Sequence, residues 1–220
     1  MSPIPSDIPA PTVRRLSQYL SVLEHFCQPP CTISSKELAA QMKTSDAQVR
    51  KDFATFGAYG QPGVGYDVTD LIRRIRRTLG VDKPWNVVLV GVGNLGRALL
   101  SYGGFAQRSL HIVACFDADP HRIGTKVRDL LVQPMAELEA TLRQHDVKLA
   151  ILAVPRASAQ EAADLLIRAG VRGILNFSSV TLHAPGIAVQ PVDLSAGLEQ
   201  LAFQINAAAA SRENSARDGV

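Results

Sequence analysis

Residues 86–100 read N-V-V-L-V-G-V-G-N-L-G-R-A-L-L, and this stretch decides how the second half of the chain folds. A β-branched apolar run, residues 87–90, is followed by three glycines and then by an apolar helical pattern. In the spacing G-x-G-x-x-G the first glycine permits a tight turn, and the second lets backbone approach a pyrophosphate. The third lets the helix pack closely on the strand. The stretch predicts a dinucleotide site at Gly91, Val92, Gly93, Asn94, Leu95 and Gly96.

An acidic residue follows the next β-like run, residues 111–116. Asp117 comes 21 residues after Gly96. At this place a carboxylate would accept hydrogen bonds from an adenosine ribose 2′-OH and repel a 2′-phosphate. The pattern therefore favours NAD(H) over NADP(H). A purely structural glycine turn is the alternative.

The bulk composition is typical of a soluble protein, and 220 residues allow two small domains. No apolar run approaches the length of a membrane span, and the proline-rich start lacks the apolar core of a signal peptide. Three cysteines, few and odd in number, suit a reducing compartment, so we expect a cytoplasmic protein.

The positive charge is concentrated ahead of the glycine motif. Residues 1–85 carry 11 Lys and Arg against 8 Asp and Glu, a net of +3, while the remainder carries 12 against 12. The asymmetry is small, but its sign suits a nucleic-acid-binding front end.

Two short helices are predicted after a flexible arm (residues 1–12) and a first helix that starts at Val13. Ser34 precedes Glu37 by three residues, and Ser45 precedes Gln48 in the same way, so each pair is a capping box. Because only two residues separate the two helices, they form a helix-turn-helix candidate.

The second of these helices has an outer face suited to DNA. With Val49, Phe53 and Phe56 inside, the outward residues are Ala47, Arg50, Lys51, Ala54 and Thr55. Two cations among small residues can enter a major groove and contact guanine edges or phosphates. An ordinary solvated charged face is the alternative.

A glycine-rich hairpin is predicted over residues 57–68, between Tyr59 and Tyr66. A helix-turn-helix followed by a hairpin is the winged-helix arrangement, although an ordinary hairpin has the same pattern. An arginine-rich helix then completes a first domain (residues 13–80), and residues 81–85 form a linker.

The second domain, residues 86–193, alternates strands and helices as a parallel Rossmann-like sheet does. Ligands in such sheets lie beyond the carboxyl ends of the strands. Besides Asp117, the candidates there are Val154, Pro155, Asn176 and Phe177, and each could instead be a plain loop residue.

The last predicted helix, residues 194–210, is apolar on two sides. Leu194, Leu198, Leu201 and Ile205 form one stripe, and Phe203 lies opposite. Such a helix is buried between two bodies, which favours a dimer contact over a place deep within one domain. Residues 211–220 are predicted to be a disordered tail.

Two other kinds of site are weaker. His25, Cys27 and Cys31 lack a nearby fourth ligand for zinc, and no charged group beside the two cysteines would activate a thiol switch. An NAD-dependent oxidoreductase is the rival class, but the chain has no Tyr-x-x-x-Lys dyad and little length for a substrate domain.

Seven motifs in one order resemble the redox-sensing transcriptional repressors called Rex, over nearly the whole chain. They are Q-V-R-K-D-F-A-T-F-G-A-Y-G (48–60), G-V-G-Y (63–66), G-V-G-N-L-G-R-A-L (91–99), F-D-A-D-P (116–120), A-V-P-R (153–156), G-I-L-N-F (173–177) and V-D-L (192–194). The resemblance implies an α/β homodimer with an N-terminal winged helix, a Rossmann domain and a C-terminal helix exchanged between subunits. Such a repressor, which is not an enzyme, binds pseudo-palindromic double-stranded operator DNA and leaves it when NADH binds, so it senses the NADH/NAD+ ratio.

The resemblance also implies roles for individual residues. Tyr102 and Asp193 of the second subunit would lie near the nicotinamide. DNA-binding candidates are Ser45, Gln48, Arg50, Lys51 and Thr55 around the second helix, and Tyr59, Gly60, Gln61, Gly63, Val64, Gly65 and Tyr66 in the hairpin. Many relatives carry a basic residue at the hairpin tip, where this chain has Gln61 and Pro62.

Overall fold

The computed structural model describes residues 8–26 and 30–217, with side chains described up to residue 208. The chain divides into two compact units, Met1–Pro84 and Trp85–Val220. The first is helical with a small sheet and the second is built on a parallel sheet, so the predicted α/β class is confirmed.

The first unit contains four helices and two short strands. In chain order they are α1 (Ala10–Phe26), β1 (Thr32–Ile33), α2 (Ser35–Met42), α3 (Asp46–Ala54), β2 (Tyr66–Asp67) and α4 (Val68–Thr78). Helix α1 begins inside the stretch predicted to be a flexible arm, because Pro11 is tolerated in a first turn, where N–H groups have no helical partner. Residues 1–7 of that predicted arm lie outside the described residues.

The caps of α2 and α3 separate the helix-turn-helix pair. At α2 the capping box is complete: Glu37 N donates to Ser34 Oγ at 3.1 Å, and Ser34 N donates to Glu37 Oε2 at 2.8 Å. At α3 only half of the predicted box forms. Gln48 N donates to Ser45 Oγ at 3.1 Å, but the Gln48 side chain donates to Asp52 Oδ1 instead, at 2.9 Å.

The hairpin after α3 is short and tight. Gln61 and Gly65 exchange backbone hydrogen bonds of 2.8 and 2.9 Å, and β2 then pairs with β1 in antiparallel register. Gly65 has a φ of +95°, and a Cβ there would lie 2.5 Å from the carbonyl oxygen of Ile33. This close approach explains why a glycine stands where the wing meets the strand.

The second unit is a seven-stranded sheet with the order β5-β6-β4-β3-β7-β8-β9. The strands are β3 (Trp85–Val90), β4 (Leu110–Asp117), β5 (Lys126–Val127), β6 (Leu130–Pro134), β7 (Leu149–Leu152), β8 (Gly173–Asn176) and β9 (Ala188–Pro191). All pairs are parallel except β5 with β6. Strands β4 and β7 flank β3 on opposite sides, so the strand order reverses at β3. The carboxyl end of a strand at such a switch point is the usual place for a ligand.

Helices connect these strands and cover much of both faces. They are α5 (Asn94–Leu100), α6 (Gly104–Gln107), α7 (Leu138–Gln144) and α8 (Ala159–Arg168). Within β3, Val88 and Val90 pack into the core beneath α7 and α8, and Val87 and Leu89 pack on the opposite face. The apolar run in residues 87–90 is continuous because both faces of this strand are buried.

Helix α9 (Leu194–Arg217) follows the sheet and continues beyond the predicted end at residue 210. Its large apolar side chains are exposed: Leu194, Leu198, Leu201, Phe203 and Ile205 each keep more than half of their surface accessible. No helix within the described part of the chain is both long and apolar enough to cross a membrane.

Candidate functional site

The three glycines of the turn at the end of β3 have different surroundings. Gly91 has a φ of +96°, and a Cβ there would lie 2.5 Å from the carbonyl oxygen of Ala153. At Gly96 a Cβ would collide with the carbonyl oxygen of Gly91, so this residue lets α5 pack on the turn. A Cβ added at Gly93 would meet only the end of the Arg122 side chain, Nη1, at a van der Waals distance of 3.8 Å. Backbone at Gly93 is therefore accessible to a ligand.

Asp117 ends β4 beside this turn and is almost fully buried. Its Oδ2 accepts hydrogen bonds from Val92 N at 2.7 Å and Arg122 Nη1 at 3.1 Å, and its Oδ1 accepts one from Asp119 N at 2.9 Å. Burial raises the pKa of Asp117, but these donors outweigh burial and hold the pKa below its usual value. The carboxylate is therefore charged at neutral pH.

A cavity of about 630 Å³ opens between the turn, Asp117 and the end of β7. That volume suits a small-molecule ligand. Eight of the residues predicted from the sequence line it: Gly91, Gly93, Asn94, Leu95, Asp117, Val154, Pro155 and Phe177. Val92 and Gly96 belong to the same turn but are buried beneath it.

Three residues predicted to bind the cofactor do not line this cavity. Asn176 and Asp193 line a separate cavity, and the Asn176 side chain is engaged by Val180 O at 2.8 Å and Ser178 Oγ at 2.6 Å. Tyr102 borders a third cavity and packs edge-to-face on Phe105, with ring centroids 5.1 Å apart. A single chain does not bring Tyr102, Asn176 and Asp193 to the glycine turn.

Arg122 and Asp119 line the cavity but were not predicted from the sequence. Arg122 pairs with Asp117, and its Nε lies 3.3 Å from Asp119 Oδ2. The sequence signal that could have found them is their closeness to Asp117: an acidic and a basic residue follow it by two and five positions.

The outward face of α3 has the predicted composition. Ala47, Arg50, Lys51, Ala54 and Thr55 are all exposed. Arg50 is tied to its own unit, since its Nη1 donates to Asp46 Oδ2 at 2.6 Å and to Ser35 Oγ at 3.2 Å. Lys51 has no ion-pair partner among the described residues, so it carries the available positive charge of this face.

The remaining predicted DNA-binding residues differ in accessibility. Tyr59 and Val64 are exposed in and before the hairpin, at 78% and 55% of their surface. Ser45, Gln61 and Gly63 are also exposed, while Gln48, Gly60, Gly65 and Tyr66 are half-buried. Tyr66 packs edge-to-face on Phe53, with ring centroids 5.1 Å apart. The predicted DNA-binding residues that are accessible therefore lie on α3, at Tyr59 and at the hairpin tip.

A buried carboxylate joins α3 to α1. Asp52 is 1% exposed and accepts hydrogen bonds from Arg15 Nε at 2.6 Å, Arg15 Nη2 at 2.7 Å and Tyr19 Oη at 3.0 Å, besides that from Gln48. Burial raises the pKa of Asp52, but Arg15, Tyr19 and Gln48 outweigh it, and the pKa lies below its usual value. The sequence pattern did not indicate this cluster.

The side chains that the structure describes include no group of three or more His, Cys, Asp or Glu that could hold a metal ion. Cys31 is disulfide-bonded, and Cys115 is a buried free thiol whose pKa burial raises to about 11. Cys27, considered for zinc and for a thiol switch, lies outside the described residues.

Comparisons with known proteins agree with this geometry. A family model described as "Putative DNA-binding protein N-terminus" matches residues 7–54, and one described as "CoA binding domain" matches residues 82–180. A redox-sensing transcriptional repressor Rex from Desulforamulus reducens is 44% identical over 200 residues, covering 90% of this chain and 95% of the relative. A Rex from Streptomyces coelicolor is 44% identical over 214 residues, covering 96% of this chain and 82% of the relative.

Solved structures give the same result. RSP, a Rex-family repressor, has been solved in complex with β-NADH and also with β-NAD+ and operator DNA. The NADH complex has a TM-score of 0.85 and 30% identity, covering 94% of this chain and 99% of that one. The complex with NAD+ and operator DNA has a TM-score of 0.85 and 32% identity, covering 94% and 97%.

A winged helix on the same chain as a Rossmann-like sheet defines a DNA-binding regulator with a nucleotide pocket. The relatives are repressors, and the predicted absence of enzymatic activity is confirmed by the family. The chain belongs to the Rex family of redox-sensing transcriptional repressors.

Proposed function

We propose that this protein represses transcription by binding double-stranded operator DNA as a homodimer and that it leaves the operator when NADH fills the cavity at the glycine turn. One observation carries the proposal: a cavity with open backbone at Gly93 and a charged acid at Asp117 shares a chain with an exposed, cationic α3. The RSP complexes with NADH and with NAD+ and operator DNA support this assignment.

The cavity is suited to NAD(H) by its charge. The buried, ionised Asp117 would accept the ribose hydroxyls and repel a 2′-phosphate. The other wall is apolar at Val154, Pro155 and Phe177. We propose that NADH binds more tightly than NAD+ because its dihydronicotinamide ring is neutral, whereas the charged ring of NAD+ is costly to desolvate.

The second copy of the chain is expected to cover α9. Its exposed apolar stripe needs an apolar surface, and a groove of about 330 Å³ crosses the sheet of the same unit. The groove is lined chiefly by Val87, Phe105, Ile112, Ile151, Leu175 and Val189. We expect exchange of α9 between copies to bring the partner's Asp193 towards Tyr102, two residues that line different cavities in a single chain.

Coupling between NADH binding and release of the operator requires two states of the dimer. In one, two α3 helices match successive major grooves of a pseudo-palindromic operator, and in the other, which NADH stabilises, they do not. A coupling free energy of roughly 1–3 kcal/mol would give a useful switch. We place the protein in the cytoplasm, together with the DNA and dinucleotide that it would bind. In that compartment the disulfide at Cys31 would be open to reduction.

Fluorescence anisotropy of a labelled pseudo-palindromic operator tests the switch. We expect NADH to release the DNA and an equal concentration of NADPH to release much less. Titration across NADH/NAD+ ratios should move the midpoint with the ratio. An operator complex indifferent to NADH would refute the proposed function, and substrate-dependent consumption of NADH would support the oxidoreductase alternative.

A further inference from the structure

The turn after β4 carries an arginine back over the nucleotide cavity. Arg122 N donates to the carbonyl oxygen of Asp119 at 2.9 Å, which closes the turn. The guanidinium then reaches Asp117 Oδ2 with Nη1, at 3.1 Å, and Asp119 Oδ2 with Nε, at 3.3 Å. The same Nη1 lies 3.8 Å from the position that a Cβ added at Gly93 would take. Arg122 therefore stands between the ribose-binding acid and the backbone that would face the pyrophosphate.

The charge at this place is negative in spite of the arginine. Two carboxylates, Asp117 and Asp119, surround one guanidinium, which leaves a formal charge of −1. The Arg122 side chain is 41% exposed, Asp119 36% and Asp117 8%. Because the cluster is partly buried, solvent and salt screen it incompletely.

An arginine beside the ribose is the residue type that binds the 2′-phosphate in NADP-dependent relatives of this fold. Arg122 has the position for that contact but not the freedom, because Asp117 holds its Nη1 and Asp119 holds its Nε, so that two carboxylates offset one guanidinium. Asp119, like Asp117, is therefore placed to affect which of the two dinucleotides binds.

We propose that Asp119 is a specificity-determining residue: by pairing with Arg122 it withholds the guanidinium from a 2′-phosphate and so excludes NADPH from the cavity. This inference rests on the proposed function, since a dinucleotide must bind at the glycine turn. A purely structural role, in which the pair only stiffens the turn, predicts equal effects on NADH and NADPH.

Trp85, the only tryptophan of the chain, provides the measurement. Its emission is absorbed by the reduced nicotinamide of either dinucleotide, so energy transfer reports the binding of both to the full chain. The test variant is Asp119→Asn, whose amide oxygen can still accept the hydrogen bond from His121 N that Asp119 Oδ1 accepts at 2.9 Å. Asp119→Ser repeats the test with a hydroxyl as acceptor.

Asp119→Asn is expected to lower the dissociation constant of NADPH about tenfold, the order expected when one unit charge is removed near a phosphate at a partly exposed site. The dissociation constant of NADH should change little. The double variant Asp119→Asn/Arg122→Gln should lose the gain, because the gain depends on the Arg122 guanidinium, whose charge only Asp117 offsets in the single variant. Asp146→Asn is the matched control: Asp146 is paired with Lys148 at 3.0 Å and follows α7, at the other end of the strands.

The outcomes separate the two proposals. Equal changes for NADH and NADPH, or a gain that persists in the double variant, would overturn the role of Asp119 while leaving the proposed function intact. Failure of the unmodified protein to bind NADH would overturn the proposed function and this inference with it.

Discussion

Asp52 shows how one residue of α3 is used to orient the helix. It sits one position after Lys51 and points the other way, into a cluster of donors from α1 and α3. A buried carboxylate is stable only when such donors surround it. Loss of one partner leaves a buried polar or charged group without a hydrogen bond, which destabilises the fold. Asp52 therefore fixes the angle at which α3 presents its cations.

Asp52→Asn is expected to destabilise the first unit by about 1–3 kcal/mol, because the charge-assisted hydrogen bonds from Arg15 and Tyr19 are weakened. Hydrogen exchange of the α1 and α3 amides measures this loss directly. The same change at the exposed Asp46 of the same helix should have a much smaller effect. Equal exchange in the two variants would contradict the orienting role of Asp52.

The pH dependence gives the Asp52 prediction a second readout. The folded-state pKa of Asp52 lies below its usual value, so its contribution to stability is complete above the ordinary aspartate pKa of about 3.9. That contribution is lost as the pH falls through the lower, folded pKa. The difference in exchange between the wild type and Asp52→Asn should thus shrink in acid.

At the residue scale, local patterns were readable from the sequence and long-range contacts were not. The three glycines and Asp117 could be predicted because their spacing along the chain determines their geometry. Asp52 could not, because its main partner, Arg15, is 37 residues away. Asn176 was predicted from its place at a strand end, but its side chain is engaged by Ser178 and Val180.

Helix α3 presents two neighbouring cations that differ in whether they form an ion pair. Arg50 is held by Asp46 and Ser35, and Lys51 has no ion-pair partner among the described residues. We expect Lys51→Ala to weaken operator binding more than Arg50→Ala and, if Lys51 meets a phosphate, to reduce the salt slope by about 1. Anisotropy at several salt concentrations measures both quantities.

Arg73→Ala is the control for this comparison, because Arg73 is an exposed cation of the same unit already paired with Asp70. Neither Lys51→Ala nor Arg73→Ala should change the affinity for NADH, since both residues belong to the first unit. Equal losses of operator binding in all three variants would indicate a general charge effect in place of recognition by α3.

Element boundaries were predicted where a local signal exists. The capping box of Ser34 and Glu37 marks the real start of α2, whereas α9 runs past the predicted end at residue 210 to Arg217. Polar residues after position 210 suggested an end, but polarity does not stop a helix, and the next glycine stands only at position 219. At α3 the expected Gln48 cap was lost to Asp52, since a charged acceptor competes successfully for the amide.

At the scale of the molecule, the apolar side chains of α9 and the apolar groove on the sheet are both left exposed by one chain. Changing Leu198 and Leu201 to Glu should place two charges in the proposed dimer contact and yield monomers in analytical ultracentrifugation. The monomer should still bind NADH, because the cavity is formed by one chain. Operator affinity should fall steeply, because a monomer reaches only one half-site.

The control for the dimer prediction is Gln200→Glu, which adds one charge on another face of α9. This variant should remain a dimer with normal operator binding. A double Leu198→Glu/Leu201→Glu variant that still sediments as a dimer would contradict the assignment of α9 to the subunit contact.

The edges of the seven-stranded sheet bear on how such a chain avoids aggregation. Strand β5 at one edge has two residues, and β9 at the other has four and ends in Pro191, which has no N–H to offer. Short edges of this kind are poor templates for adding a foreign strand. Such edges therefore lower the risk that newly made chains associate strand to strand.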